Sequence, residues 1–209
     1  MSEIVQGSQE WLQLRCGLAT ASEFSSVLAS GKGGAPSITR AAYLNRIVAE
    51  RLTGEPQISQ ATGKWLKDLE RGKEQEPLAR MAYEAKTGAY VEEVPFIKHQ
   101  TLECGCSPDG LIDLDGGAEI KSVIPTVQLA TWESGSYPTE HRAQVQGSLW
   151  ITGRTYWDYC SYSPTLPPNL RLYVFRVLRD EVYISQLAAA VKQFLTEVEA
   201  KVLKYQEMK

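Results

Sequence analysis

Ser107-Pro108-Asp109-Gly110-Leu111, followed by Ala118-Glu119-Ile120-Lys121, is the most informative part of the sequence. Asp109 opens a short apolar run, and Gly116-Gly117 is typical of a tight turn. Residues 118 to 123 then have the composition of a returning strand. The pattern predicts a β-hairpin.

Two carboxylates and a lysine converge on this hairpin. Residues two apart on a strand point to the same face, so Glu119 and Lys121 project together while Ile120 points into the packing. Asp109 can meet them from the neighbouring strand. Two converging carboxylates repel unless a hard cation lies between them, and Mg²⁺ takes one or two carboxylates plus water and phosphate oxygens. With a lysine to orient or deprotonate the attacking water, the group predicts metal-dependent phosphodiester hydrolysis.

The same residues allow a plainer interpretation. Charged residues are common, so a similar D…E-x-K spacing arises by chance in unrelated proteins. Asp109 and Gly110 are also favoured in turns, and Glu119 and Lys121 would then be a solvated strand face. Only other motifs can decide between the two.

Other segments supply such motifs in a consistent order, at residues 11–23, 143–153 and 156–159. Together with the hairpin they closely resemble the bacteriophage lambda exonuclease family, also called YqaJ-type viral recombinases, of the PD-(D/E)-x-K nuclease superfamily. The resemblance runs from near residue 8 to near residue 185. It implies an α+β fold of the α/β/α type, in which a central mixed β-sheet flanked by helices forms a restriction-endonuclease-like nuclease core.

Length and composition agree with one domain over residues 1–209. A chain with 43% hydrophobic residues can bury a core without metal or disulfide staples. No apolar stretch approaches the roughly 18 residues of a membrane span, and the N-terminus lacks a signal-peptide pattern. We expect a cytoplasmic protein without membrane contact, and the resemblance adds a phage or prophage origin in a bacterial host.

The four cysteines are expected to be reduced thiols. Cys104 and Cys106 are separated by one residue, whereas zinc sites usually have two residues between such a pair. A zinc site or a disulfide is therefore disfavoured.

The net charge of −3 and the pI near 5.6 argue against nucleic-acid binding by bulk electrostatics. A cation would neutralise part of the acidic excess, leaving Lys and Arg to line a DNA path. The resemblance also implies a homotrimeric ring that encloses DNA and tolerates weak individual contacts.

Hydrophobic periodicity and turn signals define the remaining elements. Thr20-Ala21-Ser22-Glu23 has the pattern of a capping box before a helix. Further helices are predicted over 40–52, 63–86, 126–134, 140–151 and from 184, and strands over 90–98, 102–106, 110–114, 118–123, 156–162 and 172–178.

The helix predicted over 63–86 carries Gly72-Lys73-Glu74-Gln75-Glu76. This segment matches a family segment whose last glutamate helps to hold a metal, which assigns Glu76; Glu74 is the rival carboxylate. An exposed helix with ordinary ion pairs is the alternative. On the same helix Leu69 aligns with a leucine that separates the strands of a duplex end, although a core leucine would look alike.

Gln144 and Gln146 are two residues apart on a predicted helix and face about 200° from each other, so both cannot serve one site. The family pattern places the active-site glutamine at the first of the pair. We therefore assign Gln144, as a polar contact to water or phosphate.

Arg15 and Ser22 match family positions that receive a 5′-terminal phosphate, and Ser107 flanks Asp109 in the same pocket. The planar fork of arginine can hold a phosphate bidentately. In the lambda enzyme a further phosphate-binding arginine follows the E-x-K strand by six residues, and here that position is Val127. Arg142, Arg40 or a shifted loop would have to compensate.

The resemblance implies two Mg²⁺ ions, for which Mn²⁺ can substitute, held by Asp109, Glu119, Glu76 and the backbone carbonyl of Ile120. Lys121 would orient the attacking water and lower its pKa, helped by Gln144.

The implied activity is 5′-to-3′ digestion of one strand of linear duplex DNA into mononucleotides. The remaining 3′ single strand would pass to a single-strand annealing recombinase for phage recombination. Two alternatives stay open: a nuclease of the same superfamily with another polarity or substrate, and a nuclease-like fold that has lost its chemistry and binds DNA ends or a protein.

Overall fold

The computed structural model describes residues 4–31, 33, 37–57 and 64–208; the side chains of residues 64–69 and 73 lie outside this description. The α-helices are α1 Gln9–Arg15, α2 Phe24–Leu28, α3 Ile38–Thr53, α4 Lys64–Thr87, α5 Pro125–Ser134, α6 Arg142–Thr152 and α7 Glu181–Gln206. The strands are β1 Ala19–Thr20, β2 Val91–Glu92, β3 Ile97–Lys98, β4 Cys104–Cys106, β5 Gly110–Ile112, β6 Gly116–Ser122, β7 Tyr156–Tyr162 and β8 Leu172–Leu178.

A mixed five-stranded sheet forms the centre of the fold. Its strands follow the order β2, β5, β6, β7 and β8; β6 and β7 are parallel, and every other neighbouring pair is antiparallel. Helix α4 covers one face, while α6 and α7 cover the other. The predicted α+β class with a central mixed sheet flanked by helices is confirmed.

Alternation along β6 divides its residues between the two faces. Ala118 and Ile120 pack with Tyr83 of α4 in one core cluster. Glu119 points the other way, where it contacts Gln144 of α6. The sequence predicts that Ile120 packs into the core while Glu119 and Lys121 share the opposite face. Strand β6 has this arrangement.

The turn of the hairpin differs from the prediction. β5 and β6 pair in antiparallel register, but Gly116 and Gly117 belong to β6, and the loop is Asp113 to Asp115 with Asp113 at a φ of 45°. The reason for the glycines is packing, because a Cβ on Gly117 would lie 2.3 Å from the ring of Trp157, which is fully buried.

The strand predicted over residues 90–98 is wrong as a single element. Its first part, β2, joins the central sheet, whereas β3 joins a separate three-stranded sheet of order β1, β4 and β3. Pro95 lies between the two parts and has no N–H to donate to a strand ladder.

The capping box predicted at residues 20–23 is also wrong. Thr20 ends β1 and precedes a 3-10 turn, and its side chain makes no capping hydrogen bond. Its hydroxyl instead lies 3.3 Å from Arg15 Nη2 and 3.2 Å from Ser22 Oγ. The α-helix that follows is short, Phe24–Leu28.

A buried polar group fixes α4 to the sheet. Asp158 of β7 is 1% exposed; it accepts a hydrogen bond from the Tyr83 hydroxyl at 2.7 Å and a bidentate pair from Arg176 of β8. Tyr83 lies two helical turns after Glu76, so this anchor also sets the position of Glu76.

Across the described residues, none of the helices is long and apolar enough to span a membrane.

Candidate active site

Glu119 lies at the centre of the site and is 1% exposed. Its Oε1 accepts hydrogen bonds from the Lys121 ammonium and, at 2.6 Å, from the Gln144 amide. Its Oε2 is buried and has no hydrogen-bond partner among the described residues. A buried carboxylate oxygen without a partner is costly, so this atom is suited to bind a cation or to accept a hydrogen bond from a ligand.

Asp109 reaches the same place from the start of β5. Its Oδ2 accepts the backbone N–H of Ile120 at 2.6 Å. The hairpin register causes this contact, because Gly110 pairs with Ala118 and thereby brings Asp109 level with the middle of β6. The carboxylates of Asp109 and Glu119 therefore flank one backbone residue, Ile120.

Glu76 approaches from α4. Burial and the charge of Asp109 raise the pKa of Glu76 to about 7. Burial likewise raises the pKa of Glu119 to about 7, with Asp109 and Glu76 contributing. Burial also raises the pKa of Asp109. The charge of Asp109 thus acts on both glutamates, so the three carboxylates face a common region of the site.

Lys121 is a cation in this arrangement. Burial by itself would lower its pKa, but the charges of Glu119 and Asp109 outweigh burial and raise it. Lys121 therefore acts as a hydrogen-bond donor beside the carboxylates.

The donor set suits a hard divalent cation, since it consists of carboxylate oxygens and backbone carbonyls. Among the described residues, no three His, Cys, Asp or Glu side chains are gathered tightly enough to hold an ion directly. Arg80 accounts for part of this, because it donates to Glu76 at 2.8 Å and also pairs with Glu93. Glu76 would have to turn from Arg80 to reach an ion held by Asp109 and Glu119. Glu74, the rival carboxylate, is exposed.

The two glutamines of α6 have different surroundings. Gln144 contacts Glu119, whereas Gln146 is 2% exposed and bridges the carbonyl of Leu178 at 2.9 Å and the N–H of Asp180 at 3.0 Å. Gln146 therefore connects α6 to the start of α7, and only Gln144 lies in the site.

Arg15 and Ser22 lie together in a polar pocket beside the site. Arg15 Nη2 lies 3.3 Å from both Thr20 Oγ1 and Ser22 Oγ, and its guanidinium stacks 4.0 Å from the ring centroid of Trp11. The Trp11 indole N–H donates to Ser107 Oγ at 3.1 Å. Because Ser107 is two residues before Asp109, Trp11 connects this pocket to the carboxylates.

The two arginines considered in place of Val127 are paired with carboxylates elsewhere. The Val127 side chain is 44% exposed. Arg40 makes a bidentate pair with Glu197, and Arg142 pairs with Asp180 at 2.6 Å. Both guanidinium groups are held by α7 or its N-cap. The side chain of Leu69 lies outside the described residues, so only its place on α4 is known.

Several residues of the site were missed from the sequence. Trp11 and Arg46, whose charge lowers the pKa of Arg15, are brought in by tertiary packing. His141 stacks on Tyr159 at 5.4 Å, and burial together with Lys121 lowers its pKa to about 4. No local pattern in the sequence marks these three residues.

Comparisons with known proteins give a consistent result. The model of the YqaJ-like viral recombinase domain matches residues 10–155. The structure resembles an alkaline exonuclease, LHK-Exo, from Laribacter hongkongensis, with a TM-score of 0.84 and 33% identity over 95% of this chain and 96% of that one. LHK-Exo in complex with dAMP gives a TM-score of 0.85 and 32% identity with the same coverage.

A phage-related exonuclease from Haemophilus somnus 129PT shares the fold, with a TM-score of 0.67 and 12% identity over 90% of this chain and 96% of that one. No curated protein sequence matches the chain.

Proposed function

Because the chain belongs to the YqaJ-like viral recombinase domain family, a family of nucleases that act on DNA, we propose that it is a metal-dependent 5′-to-3′ exodeoxyribonuclease of linear duplex DNA. The observation that carries the proposal is the buried Oε2 of Glu119, which has no hydrogen-bond partner within the described part of the chain and lies in the same group as Lys121, Gln144 and Asp109.

Asp109, Glu119 and the backbone carbonyl of Ile120 would hold one Mg²⁺, and Asp109 with Glu76 a second, with Mn²⁺ as a possible substitute. When bound, such ions supply a nucleophilic water and stabilise charge on the attacking and leaving oxygens. The Glu119 oxygen without a partner among the described residues supports this assignment, as do the pKa values of Glu119 and Glu76, which burial and the charge of Asp109 raise to about 7.

The side chains of the chain itself orient the reaction. Lys121 is protonated and donates to Glu119, so its part is to hold the water and to stabilise negative charge at the phosphate, not to accept a proton. Gln144 donates to the same oxygen of Glu119, which fixes that carboxylate and aims the other amide atom into the site.

The polarity of digestion would come from the pocket of Arg15, Ser22 and Ser107. A 5′ phosphate held there would place the first phosphodiester bond near Asp109, and the next 5′ phosphate would enter the pocket after each cut. The link from Arg15 through Trp11 to Ser107 supports this coupling. LHK-Exo was solved with dAMP, a mononucleotide of the kind that such digestion releases.

The proposal extends to assembly and partners. A homotrimeric ring around the duplex would keep this acidic protein on its substrate, and the 3′ single strand would pass to a single-strand annealing recombinase in the bacterial cytoplasm. Light scattering of the pure protein, alone and with duplex DNA, tests the trimer.

The activity is tested with linear duplex DNA that carries a 5′ phosphate on one strand only and a separate label on each 3′ end. With Mg²⁺, we expect mononucleotides from the phosphorylated strand, an intact partner strand, and no reaction in EDTA. Equal digestion of both strands would contradict the polarity. End binding without cleavage would favour an inactive DNA-end binding module, and cleavage of circular duplex would favour an endonuclease.

A further inference from the structure

We infer that Arg46 of α3 is a second phosphate-binding arginine, and that Glu23 competes with the phosphate for it. The inference rests on the proposed 5′-phosphate pocket around Arg15 and assigns the cation that the sequence lacks at Val127.

Arg46 belongs to the same cluster as Arg15. Its guanidinium lies 4.8 Å from the ring centroid of Tyr43, and the Tyr43 hydroxyl accepts the N–H of Thr20 at 2.9 Å. The Thr20 side chain in turn contacts Arg15. Burial, and next among the lowering influences the charge of Arg46, lower the pKa of Arg15, so the two cations repel across a short distance.

The donors of Arg46 are incompletely used. Its Nη2 pairs with Glu23 Oε1 at 3.1 Å, while its Nε is buried and has no hydrogen-bond partner among the described residues. A buried guanidinium N–H without an acceptor is unusual. The spare donor of Arg46, beside the guanidinium of Arg15, makes a site for an anion with several acceptor oxygens.

The charge of this pair matches a terminal phosphate better than an internal one. A phosphate monoester carries about −1.5 to −2 charges at pH 7, whereas a backbone phosphodiester carries one. Arg15 alone would balance a diester, but Arg15 with Arg46 balances a monoester. The pocket would therefore select duplex ends with a 5′ phosphate.

Glu23 is the built-in competitor. It holds Arg46 in the free protein and also accepts a hydrogen bond from Ser26 at 3.2 Å. The Glu23 charge opposes an incoming dianion, and Arg46 must exchange it for the phosphate. Removal of Glu23 should therefore strengthen the preference that removal of Arg46 weakens.

The test measures binding of a hairpin duplex with one blunt end, carrying either a 5′ phosphate or a 5′ hydroxyl, by fluorescence anisotropy in EDTA so that no cleavage occurs. For Arg46→Gln the preference for the phosphorylated end should fall about tenfold, the loss expected for a charge-assisted hydrogen bond. The preference of Arg46→Lys should lie between those of wild type and Arg46→Gln, because lysine keeps the charge but lacks the planar fork of donors of arginine. Glu23→Gln should increase the preference.

The control variant is Lys204→Gln. It removes an exposed cation from α7 and should weaken the binding of both duplexes by the same factor. Thermal melting of every variant identifies loss of folding. If Arg46→Gln does not fold, Arg46→Lys and Glu23→Gln test the inference in its place. An unchanged preference in Arg46→Gln, together with its loss in Arg15→Gln, would overturn the role of Arg46 and leave the pocket standing. A wild-type protein without any preference would overturn the pocket itself, while Mg²⁺-dependent cleavage still tests the nuclease separately.

Discussion

Lys121 balances the buried negative charge of Glu119. Substitution of Lys121 should lower the rate of the reaction while the protein still folds. In Lys121→Ala, Glu119 can take up a proton because its pKa already lies at about 7, which limits the cost of an unpaired buried charge. We expect turnover to fall by about 10² to 10⁴ because the donor that orients water is lost. Single-turnover digestion with Mg²⁺ measures the change, with circular dichroism and DNA binding as controls. Near-normal cleavage would remove Lys121 from the mechanism.

Gln144 and Gln146 offer a matched pair of substitutions on one helix. Gln144→Ala removes a donor to Glu119 and should lower turnover with little change in stability. Gln146→Ala breaks two contacts to backbone groups and should lower the free energy of unfolding by about 1 to 3 kcal/mol. Chemical denaturation and steady-state digestion of both variants give the comparison. The reverse outcome would exchange the two assignments.

At the scale of the element, β6 depends on glycine for its contact with β7. A methyl group on Gly117 would lie 2.3 Å from Trp157, which has no room to move because it is fully buried. Gly117→Ala should therefore destabilise the protein by about 1 to 3 kcal/mol or more.

Gly72→Ala is the matched control. Nothing among the described residues lies within 4 Å of the added methyl group, and alanine favours the helix by about 1 kcal/mol. Urea denaturation of both variants decides the point. Equal stability of Gly117→Ala and wild type would show that β6 and β7 can separate enough to admit the methyl group.

Local patterns were sufficient for some elements and failed for others for physical reasons. The bounds predicted for β7 and β8 match those in the structure, and helix α3 follows from helical periodicity and the glycine at residue 54. The role of Gly116-Gly117 was misread because a turn and a close packing contact favour the same residue. A contact such as Trp11 to Ser107, across 96 residues, depends on tertiary packing. The carboxylates and lysine of the hairpin were placed together by strand alternation, whereas the surroundings of Arg15 were not.

At the scale of the whole molecule, the net charge of −3 makes the acidic site the main electrostatic problem for binding DNA. Glu76, Asp109 and Glu119 repel one another, and burial raises the pKa of each. Neutralising this cluster by protons or by a divalent cation should help both folding and the approach of phosphate groups.

The contribution of these carboxylates to stability should therefore depend on both pH and metal. Without metal, Glu76 and Glu119 hold more protons in the folded chain than in the unfolded chain between the ordinary glutamate pKa and about 7. Their contribution to the free energy of unfolding should then fall as the pH rises through this interval, whereas His99 and His141, whose pKa values are lowered by burial, contribute in the opposite sense. Mg²⁺ requires ionised carboxylates, so the stabilisation that it gives should grow over the same interval and level off above it.

Melting temperatures of wild type and Glu119→Gln across this range, in EDTA and in Mg²⁺, measure both slopes. Glu119→Gln should melt with a shallower pH dependence and respond weakly to Mg²⁺; the same response as wild type would show that the ion binds elsewhere.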